Sequence, residues 1–413
     1  MPRIGRFPPF GKRFFKQARK AVGSCHFAHF WRAVIAIAAM QGRRSLKKLQ
    51  DACRNHTTRQ SIGFFLNKAH WDAPQLLADT ALNTLKTLGW KPTQTVNVIF
   101  DDTQKKKRGK QMDALSKIFL HAEKVYAQGH TILGCAIVYR DTVIPFAARL
   151  WVPKSFAQET QQPNYEGEPL EYRKLTELAA EIIRDLPLEK ATVLFDSYYL
   201  CPNVTGACED RKFRYVGVAK KNRNFFADGR DRDKRKLSPY GANVLKRDGR
   251  WQPVRGKQYR LAQRVGRLSK LGRVKLVFSR RPREKSWICM ATNETRWGVV
   301  RVLSEYLKRW PIEVLFKESK QYLGLGDYQV LRYRGIERYL CLVLIAHLLL
   351  THLGATAPGA QADPDKTNSL DLPSVPQLQS LLRSKLWDDT IDSLEKGTRN
   401  RRVGKKLKEL ILL

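Results

Sequence analysis

Two short apolar runs, each breaking off at an aspartate, limit most strongly what this chain can fold into. V-N-V-I-F-D-D-T runs from Val96 to Thr103, and A-T-V-L-F-D from Ala191 to Asp196. Runs of β-branched and aromatic residues of this length mark buried strands. A third run, Arg214 to Ala219, has the same character. A single aspartate at a strand end reads equally well as a turn, since Asp and Thr favour turns. Two strands of one kind ending in Asp101 and Asp196 are far more specific. Carboxylates at the ends of core strands, opening into a crevice, are where open α/β sheets place their sites. Asp102 is the alternate to Asp101.

The segments around these strands read as a layered α/β chain. Before them, Trp31–Met40, Ser45–Cys53, Thr58–Lys68 and Asp72–Leu88 carry helical patterns, with Ser45 a candidate cap. The second and third, joined at Asn55-His56-Thr57, have the outline of a helix-turn-helix. Thr131–Tyr139 and Thr142–Val152 read as a hairpin turning at Arg140-Asp141, and Tyr172–Arg184 as a helix. Residues 222–297 are dense in Lys and Arg and read as a basic, β-rich insertion, with Val274–Phe278 and Trp287–Ala291 as paired strands. Gly335–Leu353 is a buried helix, and its apolar part is too short to span a bilayer. An Ala/Pro/Gly/Asp-rich linker at 355–374 leads to a basic helical tail. The expected divisions are 1–90, 91–221, 222–297, 298–354 and 355–413.

Between the insertion and the buried helix lies Y-L-K-R-W-P-I-E-V-L-F-K-E-S-K, from Tyr306 to Lys320. On one helix, Tyr306, Arg309, Glu313 and Lys320 would fall within an arc of roughly 60° at about 100° per residue. Glu318 would point elsewhere. Pro311 opposes a single helix, because proline is tolerated in a first turn but kinks an interior. Only Glu313 and Lys320 therefore share a face without condition. Trp310 reads as a core residue, with stacking on an unpaired base as the alternative. His130 reads as a satisfied core histidine.

Charge narrows the partner to a polyanion, with an anionic membrane surface as the weaker alternative to nucleic acid. The chain carries 76 Lys and Arg against 38 Asp and Glu, a net +38. That excess attracts polyanions, nucleic acid foremost. Residues 1–60 hold fourteen Lys or Arg and one acid, Asp51, with Phe7, Phe10, Phe14 and Phe15 interleaved. Lys105, Lys106, Lys107, Arg108 and Lys110 follow directly on the first acidic strand and suggest phosphate contact. Seven cysteines without a C-x-x-C read as reduced thiols of a cytosolic protein, and Cys25-His26…His29 lacks the second cysteine pair of a zinc site. No signal peptide, membrane anchor or G-x-x-x-x-G-K-[ST] phosphate loop is recognisable.

The order of strands, acids, insertion and helix resembles the ribonuclease-H-like fold of DDE transposases and retroviral integrases over roughly residues 95–350. The Y-x2-R-x3-E-x6-K spacing at Tyr306, Arg309, Glu313 and Lys320 resembles the insertion-sequence-four type of bacterial transposases, as do R-W-P-I-E at Arg309–Glu313 and D-x-T at Asp101–Thr103. F-D-S-Y-Y at Phe195–Tyr199 is a looser match. The resemblance implies an α/β protein: a ribonuclease-H-like core with a basic insertion, a helical N-terminal DNA-binding region and a helical tail. It implies Asp101, Asp196 and Glu313 as catalytic metal ligands for two Mg²⁺ ions, with Mn²⁺ a substitute. Tyr306, Arg309 and Lys320 would hold phosphates. The partners it implies are double-stranded DNA, as terminal inverted repeats and target, and a second copy in a synaptic dimer, with no membrane. A same-fold nuclease or a domesticated, non-transposing DNA-binding protein is the alternative.

Overall fold

The computed structural model describes residues 7–53, 56–120, 123–160, 162–165, 167–227, 234–357 and 372–397. Asn55 of the expected turn, most of the expected linker and the end of the basic tail lie outside these residues.

The first acidic run forms β1 (Val96–Lys106), whose Val96, Val98, Ile99 and Phe100 are all buried. The chain continues through β2 (Ser116–Leu120), β3 (Val125–Tyr139), β4 (Thr142–Leu150), β5 (Ala191–Phe195) and β6 (Arg214–Val218). It then adds β7 (Asn224–Ala227), β8 (Arg235–Lys236), β9 (Arg250–Val254), β10 (Lys257–Leu268), β11 (Gly272–Arg280) and β12 (Ile288–Thr292). All join one sheet in the order β2-β3-β1-β5-β6-β12-β11-β10-β7-β8, with β4 also on β3 and β9 on β10. β3 and β1 are antiparallel, whereas β1, β5 and β6 run parallel to one another. The β3–β4 hairpin turns where sequence places it: Arg140 and Asp141 both take positive φ, 48° and 58°, the geometry of a tight two-residue turn. The strands of the basic segment do not form a second sheet. They continue the first through the antiparallel β6–β12 pair.

The helices are α1 (Gly11–Phe14), α2 (Ala18–Val22), α3 (Ser24–Ala39), α4 (Leu46–Cys53), α5 (Arg59–Asn67) and α6 (Ala73–Thr87), then α7 (Lys154–Glu159), α8 (Leu175–Asp185), α9 (Pro202–Asp210), α10 (Leu237–Asp248), α11 (Val299–Leu307), α12 (Pro311–Tyr322), α13 (Tyr333–Ala355) and α14 (Val375–Gly397). Caps explain several boundaries. The Thr58 hydroxyl accepts from Ser61 N at the start of α5, and Asp72 does the same from Gln75 N at α6.

Helix α13 is apolar all round, the pattern of a helix buried on every side. It is long and apolar enough to cross a membrane, but 94% of its most apolar window is buried in the fold, packed by α3, α5, α6, α14 and β4. The N-terminal helices are thus built into the body. Arg338 of α13, 1% exposed, donates to Leu66 O in the last turn of α5 (2.9 Å) and to Trp71 O beyond it (2.8 Å). Arg44, also buried, donates to Met40 O, Gly42 O and Tyr322 O, while its backbone N–H donates to Asp327 Oδ2 (3.0 Å). Buried guanidinium groups that satisfy orphan carbonyls in this way tie separate segments together.

Candidate active site

Successive side chains on a strand point to opposite faces, so Asp101 and Asp102 cannot serve one site equally. Asp101 stands opposite Gly134 of β3. A Cβ on Gly134 would lie 2.5 Å from the Phe316 ring of α12. The missing side chain therefore lets α12 settle on the Asp101 face, and this close approach sets the site's geometry. Asp102 is turned to the other face, where the Tyr199 hydroxyl donates to its Oδ1 (3.1 Å).

The 306–320 stretch is not one helix. α11 ends at Leu307, Lys308–Trp310 form a turn, and Pro311 opens α12. Proline fits there because a first-turn N–H has no intrahelical partner to lose. Tyr306 therefore belongs to α11, Arg309 to the turn, and Glu313 and Lys320 to α12. Glu313 sits in the first turn, where a carboxylate favours the helix dipole.

Arg309 nevertheless draws these parts together. Its guanidinium donates to Asp101 Oδ2 at 2.9 Å and, through the other terminal nitrogen, to Glu313 Oε1. Burial and the nearby Asp102 and Asp196 carboxylates lift Asp101 to about 6, despite the opposing pull of Arg309 and a hydrogen bond from Asp102 N. Burial works to lower Arg309, but Tyr306, Asp101 and Glu313 outweigh it and hold it above the usual arginine value. Burial raises the Tyr306 phenol.

Asp196 enters from the parallel neighbour. Ile99 pairs with Leu194, so two residues further on Asp101 and Asp196 stand at one level: Asp196 lies just past the end of β5, whereas Asp101 lies within β1, which runs on to Lys106 instead of ending at the aspartates as its sequence suggests. Asp196 Oδ1 accepts from Tyr198 N (2.8 Å) and Tyr199 N (3.3 Å), which fixes the turn after β5. Tyr199 thus touches both Asp102 and the turn at Asp196. Its only trace in the sequence is the F-D-S-Y-Y run.

Among the described residues, no three Asp, Glu, His or Cys side chains gather closely enough to hold a metal as the structure stands. The donor chemistry still suits a hard divalent cation, since the acids offer carboxylate oxygens. A guanidinium already bridges Asp101 and Glu313, so the space between them accommodates positive charge. The donor chemistry fits such an ion, and Arg309 occupies the position between the two carboxylates.

The expected phosphate contacts divide. Arg108 and Lys110 are exposed. Lys106 is exposed and pairs with Glu123 at 3.4 Å. Lys105 lies along Gly326. Lys107 departs from expectation: its ammonium donates to Gly326 O (2.8 Å) and Tyr328 O (3.0 Å) and sits 3.2 Å from the Tyr328 ring centroid. It pins the loop after α12, and burial pushes it down to about 7. Lys320 donates to Gln104 O (3.0 Å), which fastens α12 to β1; an ammonium has two further donors. Trp310 is not a core residue but 62% exposed, at the lip of a cavity of about 300 Å³ shared with Tyr306, Arg309 and Trp287. His130 is buried and satisfied by Tyr328 Oη (2.7 Å) and Asp113 O (2.9 Å). His29 meets the Thr57 hydroxyl at 2.7 Å.

A family model described as DDE superfamily endonuclease matches residues 26–274, well over half of the chain. The match includes Asp101 and Asp196 and ends before α11 and Glu313. No curated protein matches the sequence. The matched segment contains the acidic strands β1 and β5, and a mixed sheet flanked by helices suits such a nuclease core: the chain belongs to the DDE superfamily endonucleases.

Proposed function

We propose that this chain is a metal-dependent DNA transposase of the insertion-sequence-four type, with Asp101, Asp196 and Glu313 as its metal-holding carboxylates. The observation that carries this reading is Arg309 joined to both Asp101 and Glu313, because it unites residues 208 and 4 positions away at one point. The strand sequence β4-β3-β1-β5-β6, with the first three antiparallel and the last three parallel, supports a ribonuclease-H-like core.

A bound pair of Mg²⁺ ions would neutralise charge on the scissile phosphate and make a hydroxyl nucleophilic at neutral pH. The chain's own groups account for the rest. Arg309, freed from the carboxylates, and Lys320 would hold phosphate oxygens. The Tyr306 hydroxyl would donate to another. Arg108, Lys110 and Lys106 extend the positive surface from the end of β1. In the cut, water oxygen bonds to phosphorus as the bond to the 3′-oxygen breaks, leaving a 3′-hydroxyl. In joining, that hydroxyl attacks a target phosphate and displaces a target 3′-oxygen. Trp310, exposed beside Tyr306 and Arg309, is available to stack on an unpaired base. The α4–α5 pair, with Arg59, Gln60 and Lys68 exposed along α5, suits a duplex. A synaptic dimer follows from the same resemblance.

The test is cleavage of DNA with and without Mg²⁺ by wild type and by Asp101→Asn, Asp196→Asn and Glu313→Gln. Each variant is expected to bind DNA and fail to cut. Full cleavage by Glu313→Gln overturns the assignment. Cleavage without any joined product would favour the same-fold nuclease.

A further inference from the structure

We infer that the hairpin of β2 and the first part of β3 is an arm that grips duplex DNA lying across the Asp101 face. The inference rests on the proposed DNA-cleaving function and adds a contact surface to it.

The hairpin projects past the rest of the sheet. β3 is 15 residues long and buried from Gly129 onward, but its first four residues, Val125–Gln128, are exposed or half-buried. They pair with β2, the strand at one end of the sheet, which sets Phe119 opposite Tyr126 and Lys117 opposite Gln128. Residues paired in an antiparallel ladder share a face, and alternate residues along a strand do too. Counting along β3 by twos from Gly134, the partner of Asp101, gives Ile132, His130, Gln128 and Tyr126. Tyr126, Phe119, Lys117 and Gln128 therefore look out on the same side as Asp101. The α12 side covers this face only in part. Phe316 sits at Gly134 and Tyr328 at His130, and the next two positions are open.

What is exposed there suits DNA. Tyr126 is 66% exposed, with its ring 5.0 Å from Phe119 and the Lys117 ammonium 4.5 Å above it. Lys124 is exposed just before β3. An amphipathic aromatic surface backed by ammonium groups binds sugar–phosphate readily, and a two-stranded ribbon fits a major groove. A second copy would bring another basic surface, since the chain's net charge is +38, whereas a polyanion meets no such repulsion. Tyr126 lies eight residues (134 − 126) from the level of Asp101. At about 3.4 Å per residue this is roughly 27 Å, or about eight base pairs along a duplex.

The test uses the full-length protein, duplex DNA and a salt series, with fluorescence anisotropy as readout. Lys117→Gln/Lys124→Gln is expected to weaken binding about tenfold and to reduce the slope of log affinity against log salt by nearly two, the loss of two phosphate contacts. Tyr126→Ala is expected to weaken binding while leaving that slope unchanged. Melting curves matching wild type would confirm that these surface changes leave the fold intact. Both variants binding like wild type, with the same slope, overturns the arm and leaves the DNA reading standing. Wild type failing to bind any duplex at low salt overturns that reading, and the arm with it. Unchanged DNA affinity with a lost self-association in sedimentation assigns the hairpin to a second copy and also overturns the arm.

Discussion

Two arginines inside this molecule, Arg338 fully buried and Arg309 half-buried, do opposite work. Arg338 donates to two backbone carbonyls, Leu66 O and Trp71 O, which have no other state to adopt. Arg309 donates to two carboxylates, Asp101 and Glu313, which can exchange a guanidinium for another cation. Arg338 lies between the central helix and the N-terminal helices, whereas Arg309 lies in a three-residue turn, from which its guanidinium reaches Asp101 just past the last β1–β5 pairs. The lesson is that burial of a charge does not itself mark a site. The kind of partner does: fixed dipoles indicate architecture, and titratable, exchangeable ligands indicate chemistry.

The comparison can be broken at either end. The largest effect is expected at the carboxylates: Glu313→Gln should lower cleavage by about 10³-fold, the scale of losing a group that stabilises transition-state charge, and leave the melting temperature near wild type. Arg338→Ala should do the reverse. Leaving two buried carbonyls unpaired costs about 1–3 kcal/mol each, so denaturant titration should show a large loss of stability while cleavage per folded molecule is retained. If Arg338→Ala kills cleavage in fully folded protein, the division between the two arginines is wrong.

A subtler change sharpens it. Gly134→Ala adds one methyl group 2.5 Å from the Phe316 ring. If close packing of α12 positions Glu313 and Arg309 over Asp101, the displaced helix should cost up to about 100-fold in rate, and Phe316→Leu in the same chain should restore part of it. The smallest effect is expected at Lys107, held by carbonyls as Arg338 is. Burial sets its titration at about 7, against about 10.4 in an unfolded chain. Between those values the unfolded state binds the extra proton, so folding stability rises with pH from about 7 to 10. Lys107→Met should flatten that rise in pH-dependent melting.

The strands carrying the acids were the most legible part of the sequence. Val98, Ile99 and Phe100, like Val193, Leu194 and Phe195, are apolar enough that only burial suits them. The helical segments were placed to begin at Thr58 and Asp72, the residues that cap α5 and α6 in the structure, and Arg140-Asp141 announced its turn. Each of these signals is local. The split between α11 and α12 was half legible, since Pro311 forbids a continuous helix but does not say where the turn will aim Arg309. Gly134 was not legible at all, because its importance lies in facing Asp101 across a strand pair and Phe316 across a helix contact. β2 escaped for a related reason. S-K-I-F-L is short, sits after a basic loop, and is fixed as a strand by its pairing with β3. Lys107 looked like its exposed neighbours because nothing in the sequence indicates that the loop of Gly326 and Tyr328 returns over it.

The central claim is that the acid on the Arg309 face, and not its neighbour, holds the metal for cleavage. The direct measurement is Mg²⁺-dependent nicking of supercoiled DNA by Asp101→Asn and Asp102→Asn, side by side. The account predicts that Asp101→Asn binds DNA without nicking it, while Asp102→Asn, whose carboxylate meets Tyr199 on the other face, still cuts. A dead Asp102→Asn beside an active Asp101→Asn would contradict it.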